Sequence, residues 1–239
     1  MPKKHKALQI TLVSLAALLA VCIGGFFIWA GDYYHAEDVA VEVMQGDQTM
    51  SVRDGLTILS PTVPGDTGII FYPGAKVEAT AYLPLLEKLK SSGYTCVLVE
   101  MPLRMAIFDP NAADRVFAQV PEIQHWYIAG HSMGGAMASS YAAKHPDKVE
   151  GLLLMGAYLY GDYPARQTLT VYGTFNAGLE KNIHYTDNIV KIEGGNHAQF
   201  GSYGRQKGDP DATISADEQQ RITVQAITDF ITAQKADLS

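Results

Sequence analysis

Two regimes of hydrophobic patterning divide the chain. Ala7 to Ala30 runs for 24 residues without a charged side chain, directly after the basic stretch Pro2-Lys3-Lys4-His5-Lys6. At ~1.5 Å of rise per residue, a helix of that length crosses the ~30 Å hydrocarbon core of a bilayer. Secretory apolar regions are only about 7 to 15 residues long, so the length predicts a retained anchor rather than a cleaved signal. Lysines ahead of the span predict a cytoplasmic N-terminus. The reading is a single-pass protein of the cell membrane, with residues 1–31 as basic N-terminus and transmembrane anchor and residues 32–239 as an extracytoplasmic domain.

Beyond the anchor the pattern changes twice. Val39-Ala40-Val41-Glu42-Val43 and Leu56-Thr57-Ile58-Leu59 are short and alternating, separated by turn residues such as Gly46-Asp47 and Asp54-Gly55, which predicts antiparallel edge strands. From Gly68-Ile69-Ile70-Phe71-Tyr72 onward, short apolar runs alternate with helical periodicity. Strands are predicted at Thr95 to Glu100, Trp126 to Ala129, Val149 to Met155, Leu169 to Tyr172 and Ile189 to Glu193. Helices are predicted at Ala79 to Ser91, near Asn111 to Ala118, and at Met133 to Lys144. Ser215-Ala216-Asp217-Glu218 is a capping box, followed by Ile222, Ile227, Phe230 and Ile231 at helical spacing. Such alternation predicts an α/β domain, a mainly parallel sheet with helices on both faces.

Composition narrows the function. Setting aside the three N-terminal lysines, 15 basic residues face 25 acidic ones, a balance of −10 that argues against nucleic acid as a partner. Cys22 lies in the predicted span and Cys96 in a predicted strand, so no disulfide is expected.

The chemistry concentrates at Ile128-Ala129-Gly130-His131-Ser132-Met133-Gly134-Gly135-Ala136. A Gly-x-Ser-x-Gly core between a strand and an Ala-rich helix puts the serine on a sharp turn, its hydroxyl raised above the sheet. The Met133 N–H then points where an oxyanion would form, at the positive end of the helix. Ser132 is the candidate nucleophile. Gly194-Gly195-Asn196-His197-Ala198-Gln199-Phe200 follows the last strand, so His197 falls at the same sheet edge and is the candidate general base.

Together with Phe71-Tyr72-Pro73-Gly74-Ala75-Lys76-Val77, these two motifs resemble the α/β-hydrolase superfamily, and more narrowly its bacterial "α/β hydrolase fold-5" group. The resemblance covers roughly Tyr34 to the C-terminus. It implies an α/β-hydrolase fold and acyl hydrolysis by a Ser-acid-His triad, a serine hydrolase acting on carboxylic esters through an acyl-enzyme. It also implies that the Ala75 N–H is the second oxyanion donor beside Met133.

The third triad member departs from the family's pattern. Where the family carries Gly-Ser/Thr-x-Asp, this chain has Gly173-Thr174-Phe175-Asn176. An amide can orient imidazole but cannot balance imidazolium charge. Three arrangements fit: a weakened triad with Asn176 in the acid's position, an acid supplied from elsewhere (Asp162 after the Val149 to Met155 strand, or the less well placed Glu180), or a lapsed enzyme that survives as a surface-displayed binding domain. Arg104, after the Thr95 to Glu100 strand, is a candidate contact for a negative group on a small acyl substrate. Only Gly156 to Thr168 separates two strands where many relatives insert a lid. That predicts no lid domain, an open site, short or exposed acyl groups, and no activation at lipid surfaces. No metal-ligand spacing, phosphate loop or dinucleotide fingerprint occurs, so neither metal nor cofactor is expected.

Overall fold

The computed structural model of the chain describes residues 2–63, 65–176 and 178–238. It separates into two compact units, residues 1–33 and 34–239. The first contains the helix α1, Pro2–Gly31, whose part Leu8–Gly31 is long and apolar enough to cross a membrane. A retained anchor and a signal sequence are both compatible with it.

The second unit is built on an eight-stranded sheet. Its strands are β1 Met50–Arg53, β2 Leu56–Leu59, β3 Thr67–Tyr72, β4 Thr95–Val99, β5 His125–His131, β6 Gly151–Met155, β7 Thr168–Gly173 and β8 Ile189–Ile192. They lie in the order β1-β2-β4-β3-β5-β6-β7-β8. β1 pairs with β2, and β2 with β4, antiparallel; every other pairing is parallel.

Parallel strands need crossover connections, and the helices that several of these carry cover both faces. Period-2 alternation along β3 sends Ile69 and Phe71 into a core shared with α3 (Leu83–Ser91) and α6 (Ala216–Leu238). Ile70 and Tyr72 point into the opposite core, shared with α4 (Ala113–Gln119) and α5 (Met133–Lys144). The central strands are buried on both faces, which is why they read as continuous apolar runs in the sequence. The last helix opens as the capping box predicts, with the Glu218 N–H donating to Ser215 Oγ at 3.1 Å.

One element corrects the sequence reading. Val39 to Val43 is not an edge strand: it lies inside a helix, α2, Asp38–Gly46. Ala40 is fully buried, and Val43, three residues on, is partly buried against the core that α3 and α6 share, so burial follows helical rather than alternating spacing. The edge position belongs instead to β1, Met50–Arg53, in which Met50 is partly buried and Ser51, Val52 and Arg53 are exposed. Its turn into β2 uses Asp54 and Gly55, both at positive φ.

β3 has β4 on one side and β5 on the other, so the chain leaves the sheet centre in opposite directions from this strand. Open α/β sheets present a crevice at the C-terminal ends of the strands where the order reverses. Here that crevice lies between the segment after Tyr72 and the turn after His131.

Candidate active site

Ser132 is at φ 53°, ψ −121°, a positive-φ conformation rare for a residue with a side chain. Two bonds hold it there. Its N–H donates to the Met155 carbonyl of β6 at 3.0 Å, and its own carbonyl accepts from the Ala136 N–H of α5 at 3.1 Å. The turn also requires close backbone approach: a Cβ on Gly134 would collide with the carbonyl oxygens of Tyr72 and Pro73. α5 is thereby pressed against the end of β3. Among the described residues, the N–H groups of Met133 and Ala75 donate to no protein acceptor. The Gly74 N–H between β3 and Ala75 is already committed to Tyr82 Oη at 3.0 Å.

His197 opens the one-turn 3-10 segment Ala198–Phe200. The loops after β7 and β8 are stitched together by the Thr174 N–H to the Ile192 carbonyl (2.9 Å) and the Phe175 N–H to the Gly195 carbonyl (3.0 Å). That register brings Asn176 Nδ2 to 2.9 Å from His197 Nδ1. On another side the imidazole abuts Gly156, at φ 53°, where a Cβ would lie 2.9 Å from Nδ1. Gly156 directly follows Met155, the partner of Ser132, so serine and imidazole converge on the same end of β6. Burial lowers the His197 pKa below the ordinary histidine value, with the charge of Asp209 acting in the other direction.

Beneath these groups runs a chain of hydrogen bonds that sequence reasoning missed. The His197 carbonyl opposite His131 Nε2 can only accept, so in the neutral ring Nδ1 is the acceptor and takes the hydrogen bond of Tyr82 Oη–H, 2.7 Å away, while Tyr82 Oη accepts from the Gly74 N–H. His131 is then protonated on Nε2, which donates to the His197 carbonyl at 2.9 Å. Its ring is fully buried, 4.6 Å from that of His197, and desolvation holds its pKa well below 6.5. Asp209 was missed as well: its carboxylate accepts the N–H groups of His197 (3.2 Å) and Ala198 (2.8 Å). Neither role carries a local signal, since each is defined by hydrogen bonds between distant loops.

The remaining candidates lie elsewhere. Asp162 is exposed on the loop after β6 and makes no bond to His197. Glu180 is committed to Tyr172 Oη at 3.1 Å and to Lys191. Arg104, at φ 57°, accepts the Lys76 N–H on its carbonyl at 2.9 Å. It lines a mainly apolar cavity of about 180 Å³ with Pro73, Glu78, Glu100 and Met101, behind the Ala75 loop. Neither Ser132 nor His197 lines that cavity. Exposed apolar side chains instead crowd the loops at the C-terminal edge: Leu103, Ile107 and Phe108 after β4, Tyr158 and Tyr160 after β6, and Phe175 after β7. Between β6 and β7 only the 3-10 turn Ala165–Gln167 intervenes.

Residues 68–221 match the model of the Alpha/beta hydrolase family. A protein of Mycobacterium phage D29 named as a non-heme haloperoxidase is 27% identical over 119 residues, 46% of this chain and 43% of that protein, so the chain spans less than half of that relative's length. Among solved structures, an alpha/beta hydrolase enzyme from the metagenome of lagoon sediments at Mar Chica, Morocco, superposes with a TM-score of 0.54 at 12% identity, covering 78% of this chain and 99% of that one. A membrane phospholipase A described as a bacterial virulence factor superposes with a TM-score of 0.53 at 14% identity, covering 95% and 99%. At such identities the superpositions speak for the fold alone. The matched segment takes in more than half of the chain, from β3 through the serine turn and the histidine loop into α6, and on that match the chain belongs to the alpha/beta hydrolase family.

Proposed function

We propose that the protein is a serine hydrolase that cleaves carboxylic esters or related acyl bonds. The observation that carries this reading is the positive-φ Ser132 turn, flanked by the uncommitted N–H groups of Met133 and Ala75 and converging with His197 on the end of β6. In the reaction, Ser132 Oγ attacks the substrate carbonyl carbon as its proton passes to His197 Nε2. The carbonyl π electrons move to oxygen, where the two N–H groups receive the developing charge. Collapse breaks the bond to the leaving group, which takes the proton back from Nε2. Water then repeats both steps on the acyl-enzyme.

This route needs His197 protonated on Nδ1. Asn176 supports that tautomer with Oδ1 as acceptor, the amide orientation related by a half-turn to the one that brings Nδ2 to Nδ1. Asn176 thus holds the third triad position in this reading, without a carboxylate's charge. The apolar loop side chains around the crevice, together with the short β6–β7 connection, suit a small acyl substrate reaching an open site. Arg104 is the candidate contact for an anionic group on that substrate. Residues 1–31 serve as a single-pass anchor and, by the lysines before the span, residues 32–239 face away from the cytoplasm.

A fluorophosphonate probe tests the nucleophile: Ser132 is expected to be labelled and Ser132→Ala to abolish labelling, whereas labelling that survives Ser132→Ala overturns the assignment. The uncharged Asn176 favours one rival, a binding domain that has lost catalysis. No labelling and no turnover of short activated esters by the purified protein would favour the rival.

A further inference from the structure

A triad with asparagine in the acid's position leaves the imidazolium formed during catalysis without an anion on Nδ1. The groups facing His197 from the surrounding elements are nearly all neutral. β5 offers His131, neutral with both nitrogens committed; the loop after β7 offers the Asn176 amide; the loop after β6 offers Gly156, which has no side chain. α6 offers Gln219, whose amide is spent on the N–H and carbonyl of Asn196. From the 204–212 loop, Arg205 and Asp211 pair with each other at the surface and Lys207 is exposed. Asp209 differs from all of these. Its two carboxylate oxygens take the successive N–H groups of His197 and Ala198, so a half-buried negative charge is fixed against the backbone that carries the imidazole.

We propose that Asp209 is a positioning residue that supplies, through the His197 turn, the negative charge that Asn176 cannot. The proposal rests on the hydrolase reading above. Two bonds to one carboxylate fix its distance from the ring more firmly than a single bond would, and in a partly buried site such a charge is only weakly screened. The direction of its influence on His197, opposite to that of burial, agrees.

The test uses the full chain in detergent, with turnover of a short activated ester followed against pH, and with fluorophosphonate labelling of Ser132 as a separate check on the hydrolase reading. Asp209→Asn keeps an acceptor for the turn but removes the charge. Imidazolium becomes less stable, so the acid limb of kcat/KM, which reports the free enzyme's base, is expected to move down by about one pH unit, and kcat to fall about tenfold with little change in KM. Asp209→Glu retains the charge and should leave the limb within a few tenths of the parent. In an Asn176→Asp background, where the ring has its own carboxylate, the Asp209→Asn loss should shrink to about twofold.

An unmoved limb together with the same loss in both backgrounds would overturn the proposal and leave Asp209 as a structural cap of the turn. If Asp209→Asn does not fold, Asp209→Ser, which also keeps one acceptor, carries the same expectations and the same refutation. Failure of the parent protein to label at Ser132 refutes the hydrolase reading instead, and the proposal falls with it.

Discussion

Replacing Asn176 by aspartate measures how much charge the Asn176–His197 pair, 2.9 Å apart, leaves unsupplied. Turnover is expected to rise about tenfold or more, short of the ~10⁴-fold loss caused by the reverse change in a serine protease, because Asp209 already contributes part of that charge. His131 makes a second prediction at this scale. Its neutral ring is enforced by burial, so its folded pKa lies well below its unfolded value. The unfolded chain therefore takes up a proton below about pH 6.5 that the folded protein refuses. Stability should be at its full level above that pH and fall as the pH drops below it. His131→Gln removes the titration and should flatten the Tm-against-pH curve between pH 6.5 and 5, although its Tm at pH 7.5 will be lower for loss of the Tyr82 and His197 bonds.

At the scale of elements, the serine turn depends on α5 and β3 approaching until no side chain fits between them. Gly134→Ala puts a methyl group against two backbone carbonyls, neither of which can rotate away. Overpacking of this kind costs about 1–3 kcal/mol, and Tm should fall together with Ser132 labelling. A normal Tm in this variant would mean that the close contact is not rigid. The same elements show why the sequence was legible here. Gly-x-Ser-x-Gly encodes a local conformation, the turn from β5 into α5, and α5 runs from Met133 to Lys144 as its Ala-rich pattern predicts.

Elsewhere local pattern was a poor guide. Val39 to Val43 has β-branched residues in alternation, yet the strand position is decided by pairing, and β1 occupies the edge beside β2. α2 then satisfies its backbone within itself and buries Ala40 and Val43 on one side. Tyr82, His131 and Asp209 were illegible for a related reason. Tyr82 and His131 are 49 residues apart and His131 and His197 are 66 apart, so what links them is proximity created by the sheet order rather than any motif. Asp209 belongs to a loop without a recognisable motif, and its part is defined only by its bonds to the N–H groups of His197 and Ala198.

Across the whole molecule, the order reversal at β3 gathers the nucleophile turn, the Ala75 loop and the histidine loop at one sheet edge, although their residues span positions 74 to 209. If residues 1–31 are retained as an anchor, protease added to cells stripped of any wall or outer membrane should remove the domain from residue 32 onward, whereas a domain cleaved only after the anchoring membrane is lysed would reverse the proposed orientation. The first residues of the globular unit add a mechanical consequence. Tyr34 is bound on its N–H by the Lys76 carbonyl and on its carbonyl by the Glu78 N–H, at 2.8 and 2.9 Å. Its hydroxyl takes the Lys207 N–H at 2.9 Å, and Glu37 donates to the Ser202 carbonyl at 2.8 Å. These bonds fasten the start of the unit to the loop that carries Ala75 and to the one that follows His197. Tension drawn along the chain from the N-terminal side is therefore borne first by the two loops of the site, as shear on a handful of backbone hydrogen bonds, before any strand of the sheet is loaded.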